Sequence, residues 1–189
     1  RSVALLILAS VVVAGCQKNA SPTPIESLEL VKDDRTMFEI KLPSNWQQQT
    51  VPGQLALAVS KPGIQHRFIR FTPGEGGAKV ELRAVMLDST RTVDSLIKNS
   101  KLEFEDGLDR YEVEKTTLGG KPATLLKVQF DQEDGQYESH QYFAVNDSVA
   151  TILTFAAFGR TFEDYTEEFK AIKESVKLAR MPEKKAPDT

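Results

Sequence analysis

Between Arg110 and Ala157 the chain has little freedom in how it folds. Apolar-patterned stretches follow one another with only tight turns between them. Arg110–Leu118 is followed by a stretch alternating at Leu126, Val128 and Phe130, then by Gln136–Val145 and Val149–Ala157. The connections are Gly119-Gly120, Asp131–Gly135 and Asn146-Asp147. Loops of two to five residues cannot carry a strand back to a parallel start, so these neighbours must pair antiparallel. Tyr111 and Val113 are expected to point inward from the first strand. The last is apolar on both faces, at Ile152, Leu153, Phe155 and Ala156, which marks a central strand covered on both sides.

The chain before this run has the same grammar. Ser27–Lys32, the turn Asp33-Asp34-Arg35 and the alternation of Phe38, Ile40 and Leu42 against Glu39 and Lys41 predict an opening hairpin. Pro43-Ser44-Asn45 stops it, and Trp46 follows. Strands are expected at Leu55–Val59, over 65–71 and through Val80, Leu82, Ala84 and Met86, with a glycine-rich loop at 73–77. Asp88-Ser89-Thr90 offers caps for a helix whose apolar face is Val93, Leu96, Ile97 and Ser100, ending at Glu105-Asp106-Gly107. A second helix is expected from Thr161-Phe162-Glu163-Asp164, which has capping-box spacing, carrying Phe162, Tyr165, Phe169, Ile172 and Val176 as one stripe. The expected fold class is α+β: an antiparallel β-sheet flanked by helices, an α/β/α sandwich.

The N-terminus carries an address. Arg1 precedes Val3–Ala14, twelve residues without a charge, ending in Val13-Ala14-Gly15-Cys16. The run is too short to span a hydrocarbon layer, which takes about 20 residues, and its basic start and small-residue end fit a secretory signal. Its last four residues resemble the bacterial lipoprotein signal, in which the Cys thiol takes a diacylglycerol. Cys16 is the one cysteine of the chain, so no intramolecular disulfide exists to account for it. Residues 17–24, polar with two prolines, read as a linker. The expected division is a signal peptide at 1–15, a lipidated Cys16 and linker at 16–25, one domain at 26–180 and a polar, disordered tail at 181–189. Gln17, rather than Asp, after the cysteine favours release to the outer membrane, facing the periplasm, over retention at the inner membrane.

Phe38-Glu39-Ile40-Lys41-Leu42-Pro43-Ser44-Asn45-Trp46 resembles the F-x-I-x-L-P-x-x-W opening of PsbP-like domains, small bacterial lipoproteins of that type included. The closing strand and helix, Thr151 through Val176, and the element order between are similar. The resemblance covers about residues 26–180. It implies the PsbP-like fold and a binding or assembly-assisting role without catalysis, and it brings no functional residues with it.

The residues themselves offer no constellation that makes an enzyme. The net charge of -3 is mixed along the chain and gives no footprint for nucleic acid. His66 has no acidic neighbour in its segment, and His140 shares a strand face with Glu138 and Tyr142, beside Ser139. A Ser-His-Asp hydrolase would need convergence by the fold, and no G-x-S-x-G elbow is present. The acidic turn Asp131–Gly135 lacks the spacing of a calcium loop, there is no Cys/His pattern for zinc, and Gly74–Gly77 lacks the Lys-Ser/Thr of a phosphate loop. No cofactor is expected. The best lead is aromatic: Tyr137, Tyr142 and Phe158, with Trp46, as a partner surface wherever the sheet is left uncovered. The expected function is thus a membrane-anchored, non-enzymatic envelope lipoprotein with an envelope protein partner. A small-ligand or metal-binding lipoprotein is the alternative, and a hydrolase the weakest reading.

Overall fold

The computed structural model describes residues 22–60, 77–103, 108–132 and 135–182. Cys16, His66, the strand expected over 65–71, the helix end expected at 105–107 and part of the acidic turn lie outside them. The opening hairpin forms as expected, β1 (Leu28–Lys32) pairing antiparallel with β2 (Glu39–Pro43). Its turn is built by Asp33, whose Oδ2 accepts from the backbone N–H of Arg35 and Thr36 and from the Thr36 hydroxyl, while Oδ1 accepts from Gly53 N–H.

Among the described residues the main sheet has seven strands. β3 (Gln47–Val51), β4 (Leu55–Val59) and β5 (Ala78–Met86) form one wing. β6 (Leu108–Leu118), β7 (Lys121–Gln132), β8 (Gly135–Asn146) and β9 (Val149–Phe158) form the expected meander. The order is β3-β4-β5-β9-β8-β7-β6, every pair antiparallel. β9 is therefore central, and residues 149–157 are buried throughout.

The register divides the sheet into two faces. Val80 and Leu82 of β5 stand beside Phe155 and Leu153 of β9. They build one core with Phe38, Ile40 and Leu42 of the hairpin and with Phe169 and Ile172. On the other face Leu126, Val128, Phe130, Tyr137, Phe143 and Ile152 form a second core under Val93, Leu96 and Ile97 of α1 (Val93–Leu102). Hairpin and C-terminal helices cover one side and α1 the other, which is the expected α/β/α layering.

Four details differ from the sequence reading. β3, with three consecutive glutamines, is a strand although nothing alternates in it; among the described residues it lies at the sheet edge and pairs with β4 alone, so neither face had to be apolar. Tyr111 and Val113 do not point into the core: β6 is the opposite edge, and they are 49% and 48% exposed, Tyr111 taking the Lys101 ammonium over its ring at 4.0 Å. The cap of α1 is Thr92, paired with Ser95, because Asp88 spends its Oδ1 on a tight turn with Thr90 and Arg91. No capping box forms at Thr161, whose hydroxyl donates to Phe158 O. The chain turns earlier through α2 (Gly159–Phe162) and a 3₁₀ turn at Glu163–Tyr165 before α3 (Thr166–Glu174). The expected stripe is buried all the same, at Phe162, Tyr165, Phe169, Ile172 and Val176.

Both ends of the domain are stitched down. After α3, Glu39 and Lys177 exchange backbone hydrogen bonds of 3.2 and 2.9 Å, Arg180 N–H donates to Thr36 O, and Ala179 N–H donates to the buried Thr151 hydroxyl. At the other end, Thr23 is tied to the domain through the Tyr165 hydroxyl.

Candidate binding surface

The meander extends beyond the cover of α3, and this overhang makes a surface. Along β8, alternation brings Glu138, His140 and Tyr142 to the side facing the C-terminal helices. The register sets Gln129 beside Glu138, Lys127 beside His140 and Leu125 beside Tyr142, and then Glu112 and Glu114 of β6 beside Lys127 and Leu125. His140 Nε2 lies 2.6 Å from Glu138 Oε1, and its ring rests 4.4 Å from that of Phe162. The hydrogen bond from His140 holds the Glu138 carboxyl below its ordinary value against the upward push of burial, with help from Gln129 and Lys127. Lys127 Nζ is 2.6 Å from Glu114 Oε1 and 4.0 Å from Glu112 Oε2.

Tyr142 ends the strip. Its ring meets Phe155 edge-on at 6.1 Å, and the Lys173 ammonium stands 4.8 Å from its centroid. Burial, and then the Glu114 charge, raises its phenol above the ordinary range. The other end of the strip opens on a cleft of about 390 Å³ lined by residues that include Gln129, Gln136, Glu138, Phe158 and Arg160. The result is a half-buried shelf with an aromatic body and charges of both signs at its rim.

The four expected surface residues separate here. Tyr142 and Phe158 are half-buried and border the shelf and the cleft. Tyr137 is fully buried, its ring stacked on Phe130 at 5.9 Å and edge-on to Phe158 at 5.3 Å; as an odd position of β8 it faces α1 and the second core. Trp46 is also a core residue, 4% exposed and edge-on to Tyr165 at 5.7 Å. Trp46 and Tyr137 are therefore packed into the scaffold rather than presented on the shelf, Tyr137 also lining the cleft. Lys127, Lys173 and Glu114 belong to the shelf, and sequence reasoning missed them; only the strand register brings them to Tyr142.

The same alternation bears on catalysis. Ser139 and His140 are chain neighbours, so they leave the sheet on opposite faces. Ser139 is 1% exposed and its hydroxyl has no partner among the described residues. The Nε2 of His140 is engaged by Glu138. A nucleophile–base pair from these two residues is geometrically closed. Among the described residues no group of three or more His, Cys, Asp or Glu side chains could hold a metal ion.

No family model matches the chain, and no curated protein matches it. Solved structures do. The solution structure of cyanobacterial PsbP from Synechocystis sp. PCC 6803 aligns with a TM-score of 0.54 at 12% identity, covering 84% of this chain and 96% of that one. LpqN of Mycobacterium tuberculosis, described as involved in cell envelope biogenesis, aligns with a TM-score of 0.51 at 14% identity, covering 81% and 91%. At such identities the likeness is one of fold: the chain has the PsbP-like α+β fold.

Proposed function

We propose that this chain is an envelope lipoprotein, anchored through Cys16, whose PsbP-like domain binds a protein partner without catalysis. The observation that carries the reading is the shelf along β8. It offers an aromatic residue, Tyr142, between cations and carboxylates whose pairings can be exchanged with a partner, the composition of a polar-rimmed protein interface. Its likeness in fold to an envelope-biogenesis protein supports the location, as does the Val13–Cys16 motif. Gln17 supports the outer membrane, periplasmic face, as the destination. Two or more acyl chains make such anchoring stable, at about 0.8 kcal/mol per buried CH₂.

The experiment is site-specific photocrosslinking in cells. A benzophenone side chain at Tyr142 should give a discrete adduct that the same probe at the exposed Lys98 of α1 does not. Identical patterns from both sites would count against the shelf. A second reading, a small-ligand lipoprotein, rests on the cleft beside Phe158 and Glu138. It predicts that Phe158→Ala abolishes retention of a co-purified small molecule and leaves the Tyr142 adduct intact. For the anchor, Cys16→Ser should block lipid labelling.

A further inference from the structure

Trp46 and Tyr165 form the floor of a groove that is already occupied. The occupant is the chain's own Pro22–Glu26. The Tyr165 hydroxyl accepts from Thr23 N–H at 2.6 Å and donates to Thr23 C=O at 3.1 Å, so one side chain engages both polar groups of one residue. Pro24 C=O accepts from Asn45 Nδ2 at 2.9 Å and from Trp46 Nε1 at 3.4 Å. Asn45 Oδ1 then accepts from Glu26 N–H at 3.2 Å. Ile25 anchors the segment by packing against the core.

All five bonds go to backbone of the strap, and among the described residues none goes to its side chains. Recognition is therefore of conformation, and proline supplies that conformation. Pro24 has no N–H to satisfy, and it forces Thr23 toward extended geometry, which lets the N–H and C=O of Thr23 reach the same hydroxyl. Extended proline segments dock in aromatic-lined grooves because their conformation is preformed; here Thr23 and Ile25 are the half-buried positions while Pro22 and Pro24 stay exposed and set the conformation.

We propose that Asn45, Trp46 and Tyr165 form a proline-peptide site that residues 22–26 occupy in cis, and that an extended Thr-Pro segment of a partner protein is its occupant in trans. The inference is independent of the shelf and of the lipid anchor. The strap is tethered beside its site at an effective concentration in the millimolar range, so it excludes a weaker free peptide until it is loosened. Tension or binding on the chain upstream of Pro22 would open the groove.

Trp46 is the single tryptophan of the chain, so its emission reports the groove alone. In the full chain, the peptide Ser-Pro-Thr-Pro-Ile-Glu-Ser, copying residues 21–27, should leave that emission unchanged. Pro24→Gly keeps the carbonyl and loosens the strap; the emission should shift part of the way to the red, and the peptide should restore it saturably with a half-point on the order of 1 mM, raised by the competing strap. A peptide with both prolines replaced by glycine should bind at least fivefold more weakly. Tyr165→Phe in the Pro24→Gly background should weaken the peptide about tenfold, the loss of one to two hydrogen bonds. As a measurement on the unaltered chain, the Thr23 amide should be protected from hydrogen exchange. Unchanged emission in Pro24→Gly, absent restoration, equal binding of the glycine peptide, or an unprotected Thr23 amide would each overturn the proposal. So would concentration-dependent dimers formed by strap exchange without peptide binding.

Discussion

The residue that does most for local order is Asp33. Partial burial pushes its carboxyl up, but the N–H groups of Thr36 and Gly53, the Thr36 hydroxyl and the N–H of Arg35 together hold it below its ordinary 3.8. A carboxyl depressed in the folded state contributes stability above its unfolded value and loses it as pH falls through the folded one. The hairpin turn and the β3–β4 turn, joined through Gly53, should therefore weaken only below about pH 4. Asp33→Ala should cost about 1–2 kcal/mol at pH 7, from unsatisfied turn amides, and should cost much less at pH 2.5. Paired denaturant melts at the two pH values measure this, and an equal loss at both would show that the charge is irrelevant. The sequence already marked Asp33-Asp34-Arg35 as a turn. It could not show that one carboxylate serves two turns, because Gly53 lies twenty residues on and meets it only in the folded chain.

At the level of elements, legibility followed the strength of one-sided patterns. β5 and the hairpin were readable because each buries a regular apolar face, and β9 because it is apolar on both. The edges were not: β3 buries too little to need a pattern, and Tyr111 and Val113 of β6 mimic an inward face that stays half exposed. The last helix was read as one because its 3,4-spaced stripe runs unbroken across a 3₁₀ turn, which changes backbone bonding without moving Phe162, Tyr165 and Phe169 off the core side. The rings meet at Phe169: Phe162 edge-on at 5.4 Å, Tyr165 stacked at 5.2 Å and Phe155 of β9 stacked at 4.5 Å. Phe169→Ala should then cost about 3–5 kcal/mol in equilibrium unfolding. Tyr111→Ala on the half-exposed edge should cost less than about 1 kcal/mol. The cap of α1 lies between them: Thr92→Ala removes the acceptor for Ser95 N–H and should cost about 1 kcal/mol. The shelf was half legible for a related reason. Glu138, His140 and Tyr142 share a face by simple alternation, whereas Lys127, Glu114 and Lys173 join them through pairing register and helix placement, which a single strand's pattern does not encode.

At the scale of the whole molecule, the two ends of the domain converge on the hairpin layer, so that the sandwich is closed by its own termini. The C-terminal segment 176–180 runs along β2 and reaches the Gly119-Gly120 turn between β6 and β7, some sixty residues back in the chain. A Cβ on Gly119 would stand 2.9 Å from Leu178 Cγ and 3.2 Å from the Val176 carbonyl, and the residue holds φ +55°. Glycine is thus required here twice, for backbone conformation and for the approach of Leu178. Gly119→Ala should cost about 2–3 kcal/mol, part strain and part collision. Leu178→Ala, removing a side chain that is 7% exposed, should cost about 2–4 kcal/mol. If the closure is physical, the two changes are coupled. The shorter side chain gives room to the new methyl group, so the double variant should lose about 1 kcal/mol less than the sum of the singles. The backbone strain and the contact with Val176 C=O remain, so the relief is partial. Chemical denaturation of the four proteins of this cycle decides the matter. Strict additivity would mean that the C-terminal segment and the β6–β7 turn are neighbours without energetic contact, and that the sheet closes the domain without help from its end.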